Sequence, residues 1–252
     1  TGQKNLLDVT DPDNTFFLDL ELKNLQPLAP LANLEVLKAS GKLQAKIIQN
    51  EKGVLQCETT LNLSDIQIDE LLFAEKISGE ATAILSTQND FDFNLSFTQP
   101  LIFGTILQDI NLVSKGVTEQ DSTYGDYELN IVGSERGRII QTGSYHFNLT
   151  KEIYNLDLSS FDIIARNKKL ALQSPFHVSV NNGVIQTDTL NLSSSDSAYF
   201  NLSIPYADSL QQRGWLKGQN FDFGLLQDVL LDERFVDGVL SGEIFFDRSR
   251  EK

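Results

Sequence analysis

Apolar and polar residues alternate with a period of two along most of the chain. In the stretch 91–97 the odd positions are Phe or Leu, and the positions between them are Asp, Asn or Ser. The same alternation recurs at 16–22, 145–149, 154–158, 176–180 and 200–204. Strict alternation predicts strands with one apolar and one polar face. Such strands are typical of antiparallel sheets, because buried parallel strands are apolar throughout.

Turn residues separate these runs about every ten residues. The clearest turn is Asn182-Gly183, because a two-residue hairpin loop favours residues that accept a positive φ. By this pattern the chain holds about sixteen to eighteen strands, well above the usual strand fraction of a globular domain. The sequence therefore predicts an all-β, elongated and mostly antiparallel sheet rather than a compact mixed fold.

Three short apolar segments have helical spacing and interrupt the strand pattern. They lie at 28–37, 71–73 and 223–230, and each is too short to be stable unless it docks on the sheet. A Ser-Gly step and a strand follow each of them, at Gly41, Gly79 and Gly242. We therefore expect loose repeat units around 16–48, 61–85 and 219–246, with a further β region at 91–205. The alternative is that Ser-Gly, a common dipeptide, recurs by chance.

Composition argues against several classes of function. With 20 Lys+Arg against 35 Asp+Glu the net charge is −15, so a basic face for nucleic acid is not expected. Cys57, His146 and His177 are the whole supply of Cys and His, too few for a metal centre or most hydrolase mechanisms. We expect both histidines to be exposed and Cys57 to be partly buried. We therefore predict no enzyme, with no catalytic residue, cofactor or metal.

The order of the elements resembles the AsmA-like family, which includes the TamB translocation and assembly module proteins. One similar stretch is 219–246, with its short helix, Ser-Gly step and strand. Another is 153–205, where strands flank the Ser174-Pro175 step and the Asn182-Gly183 turn. The pair of strands expected at 101–113 resembles a third part of that family.

The resemblance implies a long curved sheet, folded over into a taco-like groove with an apolar lining. It also implies a periplasmic location in a diderm bacterium, with an inner-membrane anchor outside this segment. The implied role is phospholipid movement between the inner and outer membranes, in support of outer-membrane biogenesis and with a possible outer-membrane β-barrel partner. Residues 1–252 would then be one segment of a longer periplasmic β-groove. The alternative is a mature protein after processing.

An apolar groove of this kind would hold the acyl chains of phospholipids, each buried CH₂ contributing about 0.8 kcal/mol. The helical segments are too few to cover about sixteen strands stacked over roughly 75 Å, which favours an open groove over a self-filled core. The predicted lining consists of the residues at the alternate, apolar positions of the strands. These are Phe91, Phe93, Leu95, Phe97, Tyr145, Phe147, Leu149, Tyr154, Leu156, Leu158, Phe176, Val178, Val180, Phe200, Leu202, Ile204, Ile244 and Phe246.

Three other interpretations of the same pattern stay open. A compact β-sandwich would use the apolar residues as an ordinary core. A structural or protein-binding scaffold would recruit a partner strand at its open sheet edges, as an assembly factor for outer-membrane proteins such as autotransporters would. A secreted adhesin or carbohydrate-binding sandwich would need clustered exposed aromatic residues, whereas most aromatic residues here share the parity of Leu and Ile.

Overall fold

A computed structural model describes residues 15–32, 34–49, 53–69, 71–86, 88–102, 105–133, 137–208, 211–222, 224–230 and 238–249. The structure is 78% strand, and the strands form one antiparallel sheet of 18 strands. The predicted all-β fold class with few helices is confirmed.

The first half of the described chain contains β1 (Thr15–Leu22), a 3₁₀ helix (Gln26–Ala32), β2 (Leu37–Gln49), β3 (Leu55–Ile68), β4 (Leu72–Leu85), β5 (Asn89–Thr98), β6 (Leu101–Ile102), β7 (Thr105–Ile106), β8 (Asp109–Glu119) and β9 (Ser122–Val132). The second half contains β10 (Gly137–Asn148), β11 (Ile153–Ala165), β12 (Lys168–Leu172), β13 (Phe176–Asn181), β14 (Val184–Thr187), β15 (Thr189–Ser194), β16 (Tyr199–Ala207), β17 (Gln211–Asp222), the helix α1 (Gly224–Leu230) and β18 (Val239–Ser249).

The sheet is a meander in which each long strand pairs with the next along the chain. Strands β1 to β5 pair in order, and β8 to β11 continue from β5. The short strands β12 and β13 lie end to end along β11, and β14 to β18 complete the sheet. Both short helices lie at one end of the strands, which we call the helix end. The Asn182-Gly183 turn lies at the opposite end, which we call the hairpin end.

The alternating pattern is in register from strand to strand, so the sheet has one apolar and one polar face. A row near the helix end carries almost only aliphatic and aromatic residues across ten strands: Leu22, Gly41, Leu63, Ile77, Phe97, Ile110, Ile131, Ile139, Ile163 and Leu170. The neighbouring row of opposite parity begins with Lys42, Asn62, Ser78 and Ser96.

At three places the apolar residues of a strand change between odd and even positions. An irregularity in the strand pairing at each place keeps them on the same face of the sheet. The apolar residues change from odd to even positions at Asp65, and from even to odd at Ser159. A third shift lies between Gly218 and Phe221, where Asn220 has a φ of 50°. Each of these positions places an extra residue in one strand, as β-bulges do, so the apolar side chains on both sides face the same way.

The sheet curves toward its apolar face. The backbone of Val229 in α1 lies against Gly133, which follows β9, although α1 follows β17 in the chain. Asp222 and Val229 are seven residues apart, so a short link and a helix rising about 1.5 Å per residue reach only about 15 Å. On a flat sheet β17 and β9 would be about 29 Å apart, at about 4.8 Å per strand. Curvature therefore brings β17 toward β9 on the apolar side.

The main core forms where α1 closes over this curve. Leu225 and Val229 of α1 pack with Phe221 and with buried residues of four strands, namely Ile139, Ile163, Ala165, Leu170 and Leu192. A smaller cluster lies in β2, β3 and β4, near the 3₁₀ helix, and consists of Ala39, Leu63, Ile66, Ala74 and Ile77. Both clusters lie toward the helix end, so the helices cover only part of the apolar face.

Two of the three predicted helical segments are helical in part. The segment 223–230 contains α1, and 28–37 contains part of the 3₁₀ helix, although Leu37 already begins β2. The prediction of a helix at 71–73 is wrong, because Leu72 and Phe73 begin β4 and pair with both β3 and β6. The predicted hairpin at Asn182-Gly183 is confirmed, with φ values of 49° and 76°.

Candidate functional site: the open half of the apolar face

The apolar face near the hairpin end has no helix packed on it among the described residues. We call this region the open half; its centre consists of two rows that cross β5 to β13. One row is formed by Phe91, Gly116, Gly125, Tyr145, Leu156 and Val178. The other is formed by Phe93, Ser114, Tyr127, Gly143, Leu158 and Phe176. The two rows lie side by side and run perpendicular to the strands.

Several aromatic rings contact one another on this surface. Tyr145 stacks on Phe147 with ring centroids 5.0 Å apart, and Phe147 contacts Tyr154 at 6.1 Å. Tyr127 contacts Tyr145 at 6.4 Å, and Phe91 stacks on Phe93 at 6.2 Å. The rings form a continuous strip from β9 to β11 and a second group on β5.

Glycines beneath the rings allow them to lie close to the sheet. A Cβ at Gly116 would meet the Phe91 ring at 2.6 Å and the Tyr145 hydroxyl at 2.9 Å. A Cβ at Gly125 would meet the same hydroxyl at 2.8 Å. The Tyr145 ring therefore extends across β9 to β8 over two residues without side chains. Aromatic rings that cover glycines in a sheet recover the packing that glycine lacks.

The polar atoms of the open half bond to one another. The Tyr145 hydroxyl lies 2.8 Å from Ser114 Oγ, which donates to the backbone oxygen of Asp126 at 3.0 Å. The side-chain amide of Gln141 donates to the Tyr127 hydroxyl. Burial raises the pKa of Tyr127; the Gln141 hydrogen bond opposes this rise, and the nearby Asp157 carboxylate adds to it. These hydroxyls therefore add little polar character to the face.

Most of the predicted lining residues lie on the apolar face and remain partly exposed. Residues on β5, β10, β11 and β13 are half-buried with two exceptions: Tyr154 is exposed and Leu158 is buried. Leu149 lies in the turn after β10, where its side chain is 73% exposed, so it lies outside the strands of the face. Phe97 lies nearer the helix end and packs against the smaller core cluster.

The remaining predicted lining residues lie on β16 and β18. Phe200 packs against the main core cluster with its ring 4.8 Å from Phe221, so it belongs to the covered part of the face. Leu202 and Ile204 are half-buried further along β16. Ile244 and Phe246 lie on the edge strand β18 and are exposed.

The polar face carries ion pairs between side chains of neighbouring strands. Lys115 Nζ lies 2.8 Å from Asp92, and His177 Nδ1 lies 2.6 Å from Asp157, both at the surface. His146 is exposed and Cys57 is half-buried, as predicted, whereas His177 is half-buried rather than exposed. Within the described ranges there is no group of three or more Cys, His, Asp or Glu side chains that could hold a metal ion.

Sequence reasoning missed several residues of the open half. Gly116, Gly125 and Tyr127 belong to it because β8 and β9 pair between β5 and β10. Gly143 lies on β10 and shares the parity of Tyr145. The alternation of apolar residues is weak in β8 and β9, since glycine and serine occupy apolar positions. The signal that could have found them is the parity of Tyr127 with Leu129 and Ile131.

Comparison with protein-family models, with curated proteins and with solved structures finds no match. In the part of the chain that the structure describes, no helix has both the length and the apolar character needed to cross a membrane.

Proposed function

We propose that this chain is a non-enzymatic segment of a periplasmic bridge, whose open half holds phospholipid acyl chains as lipids move between the inner and outer membranes. The observation that carries the proposal is the uncovered strip of half-buried aromatic and aliphatic side chains on a curved sheet. The AsmA-like resemblance supports the location and the role in outer-membrane biogenesis. The whole protein's anchor and partners belong to the same proposal.

The geometry favours an acyl chain that runs perpendicular to the strands. The two rows of the open half cross β5, β8, β9, β10, β11 and β13, a distance of about 24 Å at about 4.8 Å per strand. An extended acyl chain is of similar length, and burial of each CH₂ contributes about 0.8 kcal/mol without polar contacts. The helices cover the apolar face near the helix end. The strip of the apolar face along the hairpin end is therefore the open path for an acyl chain.

Photo-crosslinking of the purified chain tests the proposal. A benzophenone amino acid would replace Phe93, Phe147 or Val178 in the open half, and His146 or Asn94 on the polar face. Each variant would be irradiated with vesicles of phosphatidylethanolamine and phosphatidylglycerol, and attached lipid would be measured by intact-protein mass spectrometry. We expect lipid adducts at the three open-half positions and none at the two controls.

A crosslinker at one further position tests whether lipid reaches the covered part of the apolar face. Ile139 lies on β10 under α1 and is buried, so a crosslinker there should give no adduct as long as the circular dichroism spectrum shows an intact sheet. Adducts at equal yield on both faces would mean non-specific adsorption and would contradict the proposal. A complete lack of adducts would favour the scaffold function instead.

The scaffold function is the second candidate, and the exposed edge strands favour it. β1 and β18 carry Phe17 and Phe245 with most of their surface exposed, and an unpaired edge can accept a strand of another protein. In this version the chain would support the assembly of outer-membrane proteins. Pull-down of a synthetic outer-membrane β-strand peptide, lost on introduction of Lys at both edges, would support it.

A further inference from the structure

A single amide side chain interrupts the apolar rows in the middle of the sheet. The row next to the open half, on its helix-end side, crosses β5, β8, β9, β10 and β11 and consists of Leu95, Leu112, Leu129, Gln141 and Phe161. Gln141 is half-buried, although it shares the parity of Ile139 and Phe147 in β10. A polar side chain that is partly buried on an apolar face needs hydrogen-bond partners.

Gln141 pairs with one phenol of the open half. Its side-chain amide donates a hydrogen bond to the Tyr127 hydroxyl. The Tyr127 ring lies over Gly143, where a Cβ would be 3.0 Å from the hydroxyl oxygen. We call Tyr127 and Gln141 the donor pair. Burial raises the pKa of Tyr127, so the phenol keeps its proton and remains a donor at neutral pH.

The donor pair keeps N–H and O–H groups that can serve a ligand. A glutamine amide has two N–H donors and a phenol has one O–H donor, and the bond between the two side chains uses only one of these three. Among the described residues, neither side chain has another hydrogen-bond partner. The count is the same for the opposite orientation of the amide, because the phenol would then donate and both N–H groups would remain.

The other hydroxyl pair of the open half differs, because its protons are already used. Ser114 Oγ donates to the backbone oxygen of Asp126 at 3.0 Å. The Tyr145 hydroxyl, 2.8 Å from Ser114 Oγ, therefore donates to that oxygen. Ser114 is also only 2% exposed. The two pairs lie on the same face, but only the donor pair can bind a further acceptor.

The donor pair is surrounded by side chains without formal charge. The two rows of the open half and the row of Gln141 contain no Lys, Arg, Asp or Glu from β5 to β11. A charged headgroup would find no ion-pair partner on these rows. A carbonyl oxygen is an uncharged acceptor and matches donors set in an apolar surface. Ester-linked phospholipids have such a carbonyl at the head of each acyl chain, whereas ether-linked lipids have none there.

We propose that the donor pair binds the ester carbonyl of a phospholipid whose acyl chain lies on the open half, so that the site selects ester-linked over ether-linked lipids. The inference rests on the proposed function, because it takes the open half to be an acyl-chain site. The pair lies on β9 and β10, in the middle of the six strands that the two rows cross. One hydrogen bond to a neutral acceptor should favour the ester lipid by about two- to tenfold.

Competition between two lipids in one crosslinking reaction tests this inference. The chain with a benzophenone amino acid in place of Phe93 would be irradiated with vesicles that hold equal amounts of diacyl and dialkyl phosphatidylcholine of the same chain length. The two lipids differ in mass, so intact-protein mass spectrometry counts both adducts in one spectrum. We expect the diacyl adduct to exceed the dialkyl adduct by about two- to tenfold.

Two variants assign the preference to the donor pair. Tyr127→Phe combined with Gln141→Leu removes the donors and keeps the apolar strip, so the two adducts should become equal while their total yield is maintained. Tyr145→Phe is the matched control, since it removes a hydroxyl whose proton is already used, and it should keep the wild-type ratio. Circular dichroism would check that both variants keep the sheet. A purely structural role of the donor pair would lower the total yield and leave the ratio unchanged.

The outcomes separate this inference from the proposed function. Equal adducts of the two lipids on the wild-type chain would overturn the inference and leave the acyl-chain site standing. A preference that persists in the double variant, or that disappears in Tyr145→Phe, would also overturn it, because the donor pair would not be its source. The absence of both adducts would contradict the proposed function and this inference together.

Discussion

The helix end and the hairpin end of the apolar face have the same kind of sequence and different structures. At the helix end, Ile139, Ile163 and Leu170 lie under α1 and are buried. At the hairpin end, Tyr145 on β10 and Val178 on β13 lie on the same face of the same or an adjacent strand and stay half-exposed. The difference comes from a single seven-residue helix. An apolar strand face is therefore either buried core or open surface, depending on what lies over it.

The comparison also predicts where stability and ligand binding reside. Side chains under α1 lose all contact with water on folding, so their removal leaves cavities. Side chains of the open half keep part of their exposure in the folded state, so their removal should cost less stability and more ligand affinity. The predictions below test this separation, from the largest expected effect to the smallest.

Phe221→Ala should destabilise the protein by about 3–5 kcal/mol, because Phe221 is 1% exposed in the main core and its removal leaves a cavity. Phe147→Ala in the open half should cost only about 1 kcal/mol, since its ring is half-exposed. Urea unfolding followed by the fluorescence of Trp215 measures both. Equal losses would mean that the two ends of the face are packed alike.

Arg166→Met should destabilise the protein by about 1–3 kcal/mol. Arg166 Nε lies 2.7 Å from Asp228 Oδ2, and the Asp228 side chain on α1 is only 4% exposed. The substitution removes this ion pair from a buried carboxylate and weakens the attachment of α1. Urea unfolding at pH 7 measures the loss.

Lys169→Met is the matched control for that substitution. Lys169 forms a 2.7 Å ion pair with Asp162, but it is more than half exposed, so its removal should change stability by less than about 1 kcal/mol. If both substitutions gave the same small change, α1 would not depend on the buried pair.

Gly125→Ala should cost about 1–3 kcal/mol, because the new Cβ would lie 2.3 Å from the backbone oxygen of Lys115 and against the Tyr145 hydroxyl. Gly242→Ala on the edge strand has open space at its Cβ and should change stability by less than about 0.5 kcal/mol. Thermal unfolding compares the two. A neutral Gly125→Ala would show that Tyr145 does not lie across β9.

Ionisation of the Tyr127 hydroxyl should change the free energy of unfolding least of all, and only at high pH. Burial raises its pKa above the ordinary value of 10.0, so folding favours the protonated form. This contribution to stability is complete below about pH 10 and is lost as the pH rises through the folded-state pKa. Between pH 10 and 11 the wild-type chain should therefore lose more stability than Tyr127→Phe.

Absorbance near 295 nm provides the direct measurement for Tyr127. The difference between the titrations of the wild-type and Tyr127→Phe chains isolates one phenol, which should ionise above pH 10. A phenol that ionises at or below pH 10 would show that Tyr127 is not desolvated within the open half.

The sequence by itself determined the strands and their two faces. Period-two alternation requires one apolar and one polar face whatever the tertiary arrangement, because successive side chains of a strand point in opposite directions. Asn182-Gly183 determined its own hairpin, since both residues accept positive φ at little cost. Fold class, strand number and most residues of the apolar face follow from such local rules.

Only the tertiary structure decided which half of the apolar face is covered. The place where α1 packs on the sheet depends on the curvature of the whole sheet. That curvature sums small twists over many strands, so no short stretch of sequence encodes it. Leu72 and Phe73 became strand rather than helix because β3 and β6 pair with them on either side. A short apolar run fits a buried helix or a strand equally well, so its partners decide.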